Sequence, residues 1–149
     1  MADNKYISDI QYIDHNIETV YNYLADFGNL SRYLTDDILA QLGNKLPQLS
    51  INNFESDSDS CRFEVGAFGK AEIRIVEREP HKTIKVQGQG GLPVALTFWI
   101  QLLPLEEART KLRLTLHAEM SMMVRMMIGS KLEEGINQLA RTLAGLPYS

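Results

Sequence analysis

Five of the chain's six methionines, Met120, Met122, Met123, Met126 and Met127, crowd into EMSMMVRMMIGSKLEEG between Glu119 and Gly135, with Arg125 among them. Thioethers are soft donors that can hold Cu(I), but no Cys or His stands beside them and the start of the chain carries no export signal, so copper chemistry is disfavoured. The other property of methionine is mechanical. Its unbranched, polarisable chain repacks easily and suits a wall whose contents vary. His15, His81 and His117 are too far apart to share a metal with Cys61 or a carboxylate at ligand spacing, so no metal or other cofactor is expected. The acidic run SDSDS over 56–60 lacks the glycine and distal glutamate of a calcium loop and reads as a hairpin tip. No G-x-S-x-G elbow occurs, and Cys61 alternates with Phe63 and Val65 as a core residue would. VGAFGK (65–70) and GQGGLP (88–93) carry glycines but open no helix, so they are hairpin loops rather than phosphate cradles.

Composition narrows the classes further. A net charge of −4 without any Lys/Arg cluster argues against nucleic-acid binding, which needs a basic face. No apolar run approaches the roughly 20 residues of a membrane span. With one cysteine and no basic-then-apolar leader, the expectation is a soluble cytoplasmic protein. At 149 residues, 1–149 reads as a single domain able to bury its own core.

The elements follow from periodicity. Residues 6–13 (YISDIQYI) read as a strand. Ile17, Val20, Tyr21 and Leu24 then recur at helical spacing, with Asn16 as N-cap and Gly28 as the stop. NLSRYL and DDILAQLG suggest two short helical pieces, the second closed by Gly43. From Leu49 to Met120 the pattern is six strands in consecutive hairpins, the last alternating Leu112, Leu114, Leu116, Ala118 and Met120 against Arg113, Thr115, His117 and Glu119. A helix over Met122 to about Ala144, capped by Ser121, closes the chain and would span about 35 Å at 1.5 Å per residue. The fold class is α+β: a seven-stranded antiparallel sheet wrapped around a long C-terminal helix, with two short helices after strand one.

The chain resembles the START-like, helix-grip superfamily (SRPBCC), which includes polyketide cyclases, coenzyme-Q-binding proteins and the birch-pollen allergen. The likeness rests on ISDIQYIDHNIETVYNYLADFGNLSRYL, IRIVEREPHKTIKVQGQG and KLRLTLHAEMSMM…KLEEGINQLARTLAGLPY, and spans nearly the whole chain. It implies a cavity between helix and sheet for an apolar ligand; it does not imply one function, since only some members are enzymes.

On a helical wheel Met122, Met126, Gly129, Leu132, Ile136, Leu139, Ala140 and Leu143 form one arc, expected to face the sheet, while Met123 and Met127 lie on the opposite flank. Arg125 coincides with Leu143, inside the arc. The methionines could fill an irregular core, line a cavity, or meet a second subunit as a homodimer. Arg125 would snorkel out or pair with Glu119 in the simpler account, and hold the anionic end of a greasy ligand in the sharper one. The ligand-binding set is therefore Phe98, Ile100, Leu114, Leu116, Met122, Arg125, Met126, Leu132 and Ile136. The register of VALTFWIQLL stays open, since Trp99 and Gln101 could face inward instead. The first functional reading is a carrier or sensor of a small hydrophobic molecule. The alternatives are a polyketide cyclase/aromatase-like enzyme using Arg125, Tyr12 or Tyr33, and an interaction module built on the methionine patch.

Overall fold

The structure, a computed structural model, describes residues 2–29, 51–65, 69–89, 95–106, 108–146 and 148. Its elements are β1 (Ala2–Ile7), β2 (Gln11–Ile13), α1 (Ile17–Leu24), β3 (Ile51–Ser56), β4 (Ser60–Val65), β5 (Gly69–Glu79), β6 (Thr83–Gln89), β7 (Ala95–Glu106), β8 (Arg109–Met120) and α2 (Met122–Ala144). The short helical pieces expected over 29–34 and 36–43 fall, Asn29 apart, outside the described residues.

The strands form one antiparallel sheet in the order β1-β8-β7-β6-β5-β4-β3, with β2 also paired to β8. Consecutive hairpins run from β3 to β8, and the chain's first strand closes the edge beside its last. That first strand is two strands, a correction to the unbroken 6–13 expected. At the break the Ser8 N–H donates to the Leu114 carbonyl (2.9 Å), and the Leu114 N–H donates to Ser8 Oγ (2.9 Å) in place of a backbone partner. The Asp9 N–H, turned out of the ladder, donates to Asn137 Oδ1 of α2 (2.7 Å). One serine and one asparagine thus bend the edge of the sheet and pin the helix across it.

Both described helices start where their caps are. Asn16 Oδ1 accepts from the Thr19 N–H at 2.8 Å, and Ser121 Oγ accepts from the Val124 N–H at 3.2 Å. Helix α1 stops at Leu24 with Ala25 as its C-cap, earlier than the stop expected at Gly28. The hairpin tip 57–60 is docked as well as solvated: Asp57 accepts from the N–H groups of Asp59 (2.9 Å) and Ser60 (2.8 Å) and from Arg62 (3.2 Å). These bonds, the Asp59 N–H foremost, hold its carboxyl down at about 2.

One face of the sheet, the apolar alternate of every strand, lines the core. Ile84, Ile100, Leu102, Leu112 and Leu114 pack with Val20, Tyr21, Leu24 and Phe27 from the α1 end and with Ile136, Ala140 and Leu143 from α2. Burying a side chain of this size contributes about 1.5–3 kcal/mol. The register of β7 is settled by pairing: Leu96, Phe98, Ile100 and Leu102 stand opposite Ala118, Leu116, Leu114 and Leu112 and share their inner face. Trp99 and Gln101 face outward, Trp99 under Lys85 Nζ (5.9 Å to the ring centre) and Gln101 accepting from Thr115 Oγ1 (2.8 Å) and Arg113 Nε (3.0 Å).

Candidate functional site: an apolar inner face that opens towards one end

Pairing arranges the inner face in rows, and accessibility changes from row to row. Leu102 and Leu112, nearest α1, are buried, as are Ile84, Ile100 and Leu114 in the next row. In the following row Ile75, Val86 and Leu116 are buried, but Phe98 and Tyr6 are only half-buried. Beyond it lie Ile73, Gly88 and Leu96, all half-buried, between the buried Cys61 and Ala118. Phe54 and Phe63 extend this strip towards the far edge, their rings stacked with centres 6.2 Å apart and both half-buried. The interior is sealed beside α1 and loosens towards the N-terminal half of α2.

Two features create that gradient. Helix α2 approaches the sheet most closely at β8, β1 and β2, and among the described residues it stands farther from β3 to β5. Gly88 has no side chain to add to the strip, and a Cβ there would stand 3.1 Å from Leu96 Cγ. A strand glycine at such a point marks where something else comes close.

The ligand residues expected from sequence divide into three groups. Phe98, Ile100, Leu114 and Leu116 share the inner face of the sheet, and Leu132 and Ile136 pack against the same core from α2, so the fold brings these six together. Of them, Ile100, Leu114, Leu116 and Ile136 are closed in by protein, whereas Phe98 and Leu132 keep accessible surface. Met122 and Met126 do not face the sheet. They are 72% and 82% exposed, and Met123 and Met127 are exposed too. A wheel fixes the angle around a helix axis, not what stands opposite each turn. At the β8–α2 corner the inward contact is made by Val124, which packs with Leu132 and Tyr6 on Ala118 and Met120. Arg125 is likewise exposed rather than inside the buried arc, and among the described residues its guanidinium has no ion pair, with Glu119 or any other carboxylate. Tyr12 lies outside the interior, exposed and stacked under Arg109 (5.4 Å), and Tyr33 falls outside the described residues. Phe54, Tyr6 and Leu139 are additional half-buried apolar contacts of the core. Only the helical spacing of Leu139 marked any of them in the sequence as inward.

The ionisable groups along these rows are few. Burial pushes the Cys61 thiol up to about 12, which keeps it protonated and unreactive at neutral pH. Tyr6 brings its hydroxyl to the place where α2 crosses β1, 3.5 Å from where a Cβ on Gly129 would stand. At the sealed end Tyr21 is buried edge-on to His81 (5.5 Å), and its hydroxyl has no hydrogen-bond partner among the described residues. Burial raises its pKa.

The same arrangement of sheet and helix occurs in solved structures. The fold is the helix grip. Truncated norcoclaurine synthase from Thalictrum flavum superposes with a TM-score of 0.67 at 8% identity, over 96% of this chain and 91% of that one. The Zhui aromatase/cyclase from a Streptomyces species gives 0.61 at 14% identity, over 97% and 93%. A conserved protein from Geobacillus kaustophilus gives 0.53 at 20% identity, over 96% and 90%. No protein-family model and no curated protein matches the sequence. Among the described residues no helix is long and apolar enough to cross a membrane.

Proposed function

We propose that the protein binds a small, mainly apolar molecule against the half-buried strip of its inner face, beneath the N-terminal half of α2, and acts as a carrier or sensor for it. The observation that carries this reading is the gradient of accessibility: an apolar interior, sealed beside α1, that leaves Phe54, Phe63, Ile73, Leu96, Phe98 and Leu132 only partly covered. Covering them with a ligand would yield about 25 cal/mol for each Å² of apolar surface removed from water. Ile100, Leu114, Leu116 and Ile136 are the fixed floor of the site. Met122 and Met126 stand at its rim, where flexible thioethers can adapt to ligands of different shape. Arg125, exposed beside them, would meet a polar end that remains in water.

Solved structures of the same fold include norcoclaurine synthase with dopamine and hydroxybenzaldehyde, small ring-bearing molecules of the size this reading requires. Those neighbours include enzymes, but among the described residues the strip offers a neutral buried thiol and a tyrosine rather than an acid–base pair, which favours binding over catalysis. The unpaired, buried Cys61 suits the reducing cytoplasm as the place of action.

The test is titration with a neutral fluorescent probe such as N-phenylnaphthylamine. Saturable one-to-one binding, lost on filling the strip with Leu96→Trp, is expected; non-saturable fluorescence, unchanged in that variant, would dismiss the reading.

The exposed methionines favour a second reading. Met122, Met123, Met126 and Met127, each 60% or more exposed, form an apolar surface that a second copy of the chain could cover. Sedimentation tests it: a concentration-dependent dimer abolished by Met126→Lys supports it, and a monomer at all concentrations removes it.

A further inference from the structure

A second recess lies away from the inner strip, at the end of the sheet where β6, β7 and β8 meet the β1–β2 break. It encloses about 710 Å³, within the size range of small-molecule sites, about 300–1,000 Å³. Leu102 and Leu112 line it where β7 pairs with β8, and two exposed apolar side chains stand beside it, Ile10 (47%) and Leu103 (59%).

Its charge is one-sided. Lys82, Lys111 and Arg113 line it, and none of its described lining residues is acidic. Lys82 is 3.7 Å from Glu79, but Lys111 and Arg113 have no carboxylate within 4.0 Å among the described residues. Arg113 is instead held by Gln101, whose Oε1 accepts from its Nε at 3.0 Å, which among the described residues leaves the rest of the guanidinium unengaged. In a chain of net charge −4, such a gathering of cations around an apolar hollow is a local inversion of the overall balance. His81, on the rim, holds a left-handed backbone (φ 64°) as the third residue of the Glu79–Lys82 turn, a place usually given to glycine or asparagine.

We infer that this recess binds a small amphiphilic anion, a carboxylate carrying an apolar tail or ring, with its charge against Lys111 and Arg113 and its apolar part over Leu103 and Ile10. An apolar hollow without cations would suit a neutral ligand, and cations on a flat surface would suit a free anion or a membrane. Here both features share one concavity. The inference does not depend on the inner-face reading, because none of the half-buried strip residues lines this recess.

The experiment is a pair of NMR titrations of the labelled full chain with octanoate, below its micelle concentration, and with octanol. Octanoate is expected to shift amides around Lys82, Leu103, Lys111 and Arg113 saturably, at least ten times more tightly than octanol at the same amides. The Lys111→Gln/Arg113→Gln variant, both side chains being solvent-accessible, should keep its Tm and lose this binding at least tenfold. Equal affinity for octanoate and octanol, or shifts confined to the strip around Leu96 and Phe98, would overturn the proposal. So would complete displacement of octanoate by millimolar inorganic phosphate, since that would reveal a site for anions in general. Should the neutral probe fail to bind the inner face while octanoate still binds here, only the inner-face reading falls.

Discussion

Arg78 Nε donates to the Ala25 carbonyl at 3.0 Å, joining the sheet at β5 to the C-cap of α1. The same guanidinium donates from Nη2 to the Ser58 carbonyl (3.0 Å) and to Asp59 Oδ1 (2.7 Å), so one side chain fastens the β3–β4 turn, β5 and α1 together. A helix leaves its last carbonyls without intrahelical partners; here a cation from the sheet satisfies one of them. Arg78→Ala should lower stability by about 1.5–3 kcal/mol, the range for hydrogen bonds to a charged group. Urea unfolding would show this as a lower midpoint with unchanged slope. Arg78→Lys should recover only part of the loss, because one ammonium cannot span the same three acceptors.

Ser8→Ala tests the edge break. It removes the only described acceptor of the Leu114 N–H in the buried centre of β8. An unsatisfied buried donor costs about 1–3 kcal/mol, so the variant should unfold at a lower urea concentration. Hydrogen exchange at Leu114 should be the most accelerated in the sheet. A protection factor like that of the wild type would contradict the assignment.

Tyr21→Phe runs the other way. The hydroxyl is buried without a partner among the described residues, so deleting it should leave stability unchanged or raise it by up to about 1 kcal/mol. A clear loss in calorimetry would mean that the hydroxyl is engaged.

Asp57 makes stability depend on acid. Its carboxyl titrates at about 2 in the folded chain against 3.8 ordinarily, so its contribution is complete above the ordinary value and is lost as pH falls through the folded one. Wild type should therefore lose stability more steeply than Asp57→Asn between about pH 4 and pH 2, while the variant should already be the weaker at neutral pH. Parallel curves of midpoint against pH would rule this out.

Much of this architecture is legible in the residues. The alternation through Leu112, Leu114, Leu116, Ala118 and Met120 fixes the inner face of β8, and Ser121 announces α2, because period and capping are local properties. The register of β7 is not local. Leu96, Phe98 and Ile100 alternate with Thr97 and Trp99, apolar or aromatic residues on both faces, and only pairing with β8 decides between them. The break at Ser8 is equally hidden, since its serine fits a polar alternate and Asn137, which accepts from the neighbouring Asp9 N–H, is far along the chain. The misplacement of Met122, Arg125 and Met126 has the same origin. Helical spacing gives their angle correctly but cannot tell that Val124 makes the inward contact at that corner.

The unfilled room along the strip beside Ile73, Leu96 and Phe98 can be measured by a filling substitution. If the room exists, Leu96→Trp should keep the urea midpoint within about 0.5 kcal/mol of wild type while abolishing binding of the neutral probe. If the interior is already packed, the larger ring must force its neighbours apart, and the variant should lose about 1–3 kcal/mol. That loss, with no saturable probe binding in the wild type, would contradict the account.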